Sequence, residues 1–183
     1  RFDAGFDEEG VLLGLRADCF SDGGWSGDLS GAILDRCLFH LDNSYYIPTL
    51  AFRGQVCKTN HASNTAFRGF GGPQGMVVIE EILSQAAERL GIEPSELRRR
   101  NFYGPAPRDH TPYHQEVPAD RSARIYEELC ASARYHERRA EIERWNASQR
   151  WVKRGIGYQP VKFGISFTHK PLNQAGALVL LYE

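Results

Sequence analysis

The sequence predicts an α+β fold, with β-hairpins and strands packed against three or four helices. Strand-forming runs stand at both ends of the 183-residue chain, Arg1 to Phe20 and Ala175 to Tyr182. Between them Met76, Ile79, Ile82, Leu83, Ala86 and Leu90 recur on one face of a helical period. Strands and helices that are segregated along a chain, instead of alternating, indicate α+β.

The elements follow in order. Arg1 to Asp7, the turn Glu8-Glu9-Gly10 and Val11 to Phe20 read as a β-hairpin. Ser21 to Gly27 is a Gly/Ser loop, and Asp28-Leu29-Ser30 offers helix caps. Ile33, Leu34, Cys37, Leu38 and Leu41 then give a helix to about Leu41. Tyr45 to Val56 reads as extended segments bent at Pro48 and Gly54. A long helix runs from Pro73 to the C-cap glycine Gly91, and Pro94-Ser95-Glu96-Leu97 opens a second. Gly104 to Pro118 holds four of the nine prolines and reads as a loop. Asp120 to about Ser148 reads as one further helix, charged and half exposed. Arg154 to Phe167 and Ala175 to Tyr182 read as paired strands joined by a loop through Pro171. Both ends look cut, as in an excised segment of a longer polypeptide.

Composition excludes several classes. A net charge of −1 advertises neither nucleic acid nor an anionic membrane. No run approaches transmembrane length, and no signal peptide opens the chain. Cys19, Cys37, Cys57 and Cys130 form no CxxC pair, which argues against a structural zinc site and for free thiols in a reducing, cytoplasmic compartment. Arg98-Arg99-Arg100 is one basic run in a near-neutral chain and reads as a solvated helix face. His110 and His114 are spaced i, i+4, but they lie in the Pro-rich loop with no Glu after the first, so a metalloprotease reading is poor.

The most informative run is Asn64-Thr65-Ala66-Phe67-Arg68-Gly69-Phe70-Gly71-Gly72-Pro73-Gln74. Glycine lets a backbone approach a ligand, and a helix start offers free N–H groups to an anion or polar cofactor. The dinucleotide fingerprint fails, because Gln74 stands where its third glycine belongs. A Walker loop fails because no Gly-Lys-Ser/Thr follows. A tight loop that lets a helix pack closely remains the alternative to a binding loop.

The segment Thr65 to Gln74 resembles the hallmark loop of the large molybdenum hydroxylases, the xanthine dehydrogenase and aldehyde oxidase family. Further segments resemble the same family in order: Asp35-Arg36-Cys37-Leu38-Phe39-His40-Leu41-Asp42-Asn43, Cys57-Lys58-Thr59-Asn60, Lys162-Phe163-Gly164-Ile165-Ser166-Phe167-Thr168 and Leu172-Asn173-Gln174-Ala175-Gly176-Ala177. Several spaced motifs are far more specific than one glycine loop.

The resemblance implies a partial molybdopterin-binding domain of a longer subunit. Residues 1–71 would hold the hairpin, a helix and the cofactor and substrate loop, 72–150 the helical part, and 151–183 strands with a second substrate segment. It implies oxidative hydroxylation of hypoxanthine or xanthine to urate at Mo-molybdopterin. Electrons would pass through [2Fe-2S] clusters and FAD, in a flavin/iron–sulfur subunit or domain, to NAD. A dimer of the whole assembly is expected.

Residue roles follow from the same likeness. Arg36 is implied to hold a purine oxygen and stabilise charge pushed into the ring, the work of a permanently charged guanidinium. Without the likeness, an arginine beside Asp35 would read as a surface ion pair. Phe70 and Phe167 are implied to face the substrate ring from two sides, and Thr168 to line its site. Arg68 is implied to stand at the molybdenum centre, with the Gly69, Phe70, Gly71 and Gly72 backbone facing the cofactor and Gln74 adding a donor. The family's general base falls outside these residues, and neither Glu80 nor Glu81 is substituted for it. The aldehyde oxidase branch tends to lack an arginine at the position of Arg36, so Arg36 favours purine oxidation over that runner-up. A non-catalytic scaffold of the same fold is the alternative of a different kind.

Overall fold

A computed structural model describes residues 1–168 and 170–183. It has a three-stranded sheet and five α-helices, an α+β architecture. Strand β1 (Phe2–Phe6) pairs antiparallel with β2 (Leu12–Gly24), with Gly10 in the turn at φ +80°. Helix α1 (Ser30–Phe39) then leads to β3 (Leu50–Lys58), which lies parallel to β2 with Leu15 opposite Leu50. Gly54 does not bend this segment. It sits inside β3, where a Cβ would come within 2.9 Å of the Leu34 side chain on α1.

Helix α2 (Gly72–Leu90) carries the apolar stripe, and Gly91 ends it at φ +65°. Helix α3 (Pro94–Asn101) is capped by the Glu93 carboxylate, which accepts from the Glu96 N–H at 2.9 Å. The predicted helix over 120–148 is two: α4 (Arg121–Ser132) and α5 (Tyr135–Ser148), separated by Arg134 at φ +49°. No glycine, proline or asparagine marks the break. Tertiary burial decides it, because the turn lets Tyr126, Cys130 and Tyr135 all reach one core. That core joins them to Leu12, Leu15, Tyr45, Ile79, Ile82, Leu83 and Leu97.

The paired strands expected over 154–167 and 175–182 do not form, and a single 3-10 turn, Lys170–Leu172, is the regular structure there among the described residues. Side chains instead of a neighbouring strand take the backbone of this region. Asn43 donates to Pro160 O at 2.9 Å and accepts from Lys162 N at 3.0 Å, while Asn173 accepts from Phe167 N at 3.0 Å and donates to its carbonyl at 2.7 Å. A strand needs a continuous ladder, and groups spent on side chains cannot supply one.

The glycines before and within α2 have a packing role. A Cβ on Gly71 would lie 2.0 Å from Ile33 O, and one on Gly75 2.2 Å from Cys37 O, so α2 approaches the backbone of α1 at an i, i+4 pair. Gly71 also needs its φ of +99°. Two alanine variants separate propensity from packing. Alanine at either helical position gains up to about 1 kcal/mol in propensity. Gly31→Ala, with open space around it, is expected to raise thermal stability, whereas Gly75→Ala loses roughly 1–3 kcal/mol to overpacking. Equal effects in thermal unfolding would count against the close helix contact.

Candidate functional site

Helix α1 places Arg36 in the interior, 4% exposed. Its guanidinium does not pair with Asp35, which is exposed, nor with any other carboxylate among the described residues. It donates instead to the main-chain carbonyls of Gly164 and Ser166, 128 and 130 positions away. The Nε of Arg36 is buried with no partner among the described residues. The surface ion-pair reading of Arg36 therefore does not hold. A buried cation without an anion is costly, and a free donor beside it suits an incoming oxygen.

Two aromatic rings flank the guanidinium, Phe163 at 5.3 Å and Phe70 at 5.7 Å to the ring centroid. Phe70 meets Phe167 at 5.0 Å between centroids with planes tilted by 45°. The structure thus brings Arg36, Phe70 and Phe167 together from three separate motifs. The rings touch each other: a flat heterocycle between two parallel faces needs roughly 7 Å, two contacts of about 3.5 Å. Thr168 lies alongside, its hydroxyl donating to Ala32 O at 2.8 Å.

The loop before α2 is more open. Phe67 is 80% exposed and Arg68 is exposed, without an ion pair among the described residues. Within the turn Phe70 N–H donates to Phe67 O and Gly72 N–H to Gly69 O. The N–H groups of Arg68, Gly69, Gly71 and Gln74 make no backbone bond among the described residues. A run of unpaired donors at a helix start, next to an unpaired arginine, fits the polar periphery of an anionic cofactor. Gln74 is exposed and turns to a different place, a cleft of about 540 Å³ lined also by Cys19, Leu34, Cys37, Val77 and Glu81. This cleft does not include Arg36, Phe70 or Phe167. The three lie together elsewhere, where the Phe70 and Phe167 rings are in contact with each other.

Residues that carried no role in the sequence organise this site. His40 is buried; its Nδ1 lies 2.8 Å from Arg36 O and its Nε2 accepts from Gly164 N–H at 2.9 Å. Asn43 and Asn173 hold the segment on either side, as described above. His40 and Asn43 fall inside the motif around Arg36, which was their only signal.

Other candidates resolve as structure. Glu80 is buried, accepting from Asn43 (3.0 Å), Tyr45 (2.6 Å) and Arg98 (2.6 Å). Burial first, and then the Glu80 carboxylate, push the Tyr45 hydroxyl well above its ordinary range, so it remains a donor. The basic run is spent likewise: Arg98 on Glu80, Arg99 and Arg100 on Glu96. Among the described residues no cluster of His, Cys, Asp and Glu could hold a metal ion, and no helix is long and apolar enough to cross a membrane. All four cysteines are free.

The geometry gives the site a pH dependence. Burial holds the His40 imidazole below its ordinary range; the Lys162 and Arg36 cations add to this, against the Arg36 carbonyl and the Asp42 carboxylate. An unfolded histidine takes up its proton at about pH 6.5. The folded group resists, so its stabilisation is full above that pH and is lost as pH falls through the lower folded value. Thermal midpoints of full-length protein should drop on acidification below about pH 6.5, and a His40→Gln variant should flatten that limb.

The chain is similar to molybdopterin cofactor-binding domains. The family described as molybdopterin cofactor-binding domain matches residues 1–102, and a second of the same description matches 128–183. The chain belongs to the molybdopterin cofactor-binding domain family. Among its relatives it is 50% identical to nicotinate hydroxylase hnxS of Emericella nidulans and 46% identical to xanthine dehydrogenase of the same organism. Each match covers 100% of this chain but only 14% and 13% of the relative. The fold matches an aldehyde oxidoreductase from Desulfovibrio gigas with a TM-score of 0.71 and 27% identity, over 80% of this chain and 16% of that one.

Proposed function

We propose that the chain is the substrate-orienting part of the molybdopterin-binding region of a molybdenum hydroxylase that oxidises hypoxanthine or xanthine. The observation that carries this is Arg36, a buried guanidinium that, among the described residues, has no carboxylate in contact and a free Nε, beside two phenylalanine rings. Attack on a purine carbon moves negative charge onto the ring and its oxygens, and a permanent cation held in place stabilises it as it forms. Phe70 and Phe167 part to take the flat ring, which limits its orientation at little entropic cost. Thr168 offers its hydroxyl oxygen at the edge.

The unpaired donors of Arg68, Gly69 and Gly71 are the residues that would hold Mo-molybdopterin, with the Arg68 side chain toward the metal. When bound, the cofactor accepts two electrons from the substrate. The chain's own contribution is orientation and charge. FAD, the [2Fe-2S] clusters, the general base and transfer to NAD belong to other parts of the subunit or its partner. The assembly is a cytoplasmic dimer without nucleic-acid partners. Residues 1–71, 72–150 and 151–183 act as site loop, helical support and substrate segment.

Nicotinate is the second reading, supported by the 50% identity to a nicotinate hydroxylase. Its carboxylate also suits a planar guanidinium. Purified full-length protein is expected to contain stoichiometric molybdenum and to convert hypoxanthine to urate. Absence of molybdenum removes the hydroxylase reading, while turnover of nicotinate without purine transfers the site to the second one.

A further inference from the structure

We propose that His40 is a positioning residue that fixes the Arg36 guanidinium toward substrate, through a closed hydrogen-bonded loop of Arg36, His40 and Gly164. The inference rests on the substrate role of Arg36 given above.

Three contacts make the loop. Gly164 N–H donates to His40 Nε2 at 2.9 Å. A backbone N–H cannot accept, so Nε2 carries no proton, and Nδ1–H is the donor to Arg36 O at 2.8 Å. The Arg36 guanidinium then returns to the carbonyl of the same Gly164. One side chain thus ties the backbone of α1 to the segment whose carbonyls hold the guanidinium, four residues after the arginine itself. The ring has little freedom: it is 5% exposed, lies 5.0 Å from the Phe163 ring, and its Cδ2 would be 3.6 Å from a Cβ on Gly72. Its neutral state is favoured by burial and by the Lys162 and Arg36 cations against Asp42, while α2 presents the uncharged Gly72 to it. Without the loop, the 164–166 carbonyls are free to shift, and the guanidinium shifts with them. Displacing a catalytic charge by about 1 Å can cost on the order of 100-fold in rate.

The test compares His40→Gln with His40→Leu in full-length, cofactor-loaded enzyme. A glutamine amide oxygen can reach the Nε2 position and accept from Gly164, whereas leucine fills the space without an acceptor. The readouts are kcat/KM on the oxygenated heterocycle the wild type turns over (hypoxanthine or nicotinate) and on a neutral aromatic aldehyde, which gives Arg36 no ring oxygen or carboxylate. Urate or nicotinate binding without turnover supplies a reading independent of rate. His40→Leu is expected to lower heterocycle kcat/KM by about 100-fold, at least tenfold more than its loss on the aldehyde, and to weaken binding, with His40→Gln recovering much of the difference. Equal losses on both substrates, or a leucine variant within about threefold of wild type on the heterocycle, would overturn the positioning role. Wild-type enzyme that turns over neither heterocycle removes the reading of Arg36, and this inference with it.

Discussion

Arg36→Met is expected to lower purine kcat/KM by about 10²–10³-fold, the range found when one donor to a developing oxyanion is removed. The loss should fall on kcat as well as on KM, because the charge is needed most in the transition state. The variant also frees the Gly164 and Ser166 carbonyls, so part of any loss could come from a displaced segment. Arg36→Lys separates the two effects. It keeps a positive charge but lacks the planar fork that holds two carbonyls and still presents Nε. If charge dominates, lysine restores much of the rate; if geometry dominates, it resembles methionine. A neutral aldehyde provides the internal reference, losing far less than the purine in either variant. Unchanged purine kinetics in Arg36→Met would remove the basis of the purine assignment.

The second large effect is on stability. Arg98→Met is expected to destabilise by about 3–5 kcal/mol, because it leaves Glu80 charged and buried. The pair has side chains only 10% exposed, and water cannot substitute for the missing partner. Glu80 would keep its bonds from Asn43 and Tyr45, which soften the penalty without neutralising the carboxylate. The double variant Glu80→Met/Arg98→Met removes both charges and should lose less than the sum of the two single changes. Thermal unfolding of full-length protein measures this. Additive losses would mean that the two groups do not depend on each other. Because Asn43 also holds Pro160 O and Lys162 N, the single Glu80 change is expected to loosen the 160–167 segment and with it the site.

Legibility in the sequence followed the range of each signal. Helices α2 and α3 were readable because their period, proline and glycine stops lie within a few residues of one another. The hairpin was readable from its turn. The boundary between α4 and α5 was not, since Arg134 takes a left-handed conformation without a residue that prefers it. The terminal run 175–183 has the composition of a strand but is exposed throughout and unpaired among the described residues. Strand propensity expresses a surface to pack against, which one segment cannot specify by itself.

The candidate site divides in the same way. The motifs around Arg36, Phe70 and Phe167 were recognisable as text, and each of these residues lies where the three meet. Yet the glycines were ambiguous between cofactor approach and helix packing. At Gly71 and Gly75 the missing side chain serves packing, because carbonyls of α1 occupy the space it would need, while the Gly71 N–H remains free of a backbone bond among the described residues. The sequence by itself determined the α+β class, the main helices and the motifs that hold Arg36, Phe70 and Phe167. The tertiary structure alone decided that β3 runs parallel to β2, that Arg36 is a buried charge without an anion among the described residues, and that His40 stands between it and Gly164. Periodicity and caps act over a few residues, whereas burial and charge compensation join groups more than 100 positions apart, as Arg36 and Gly164 are.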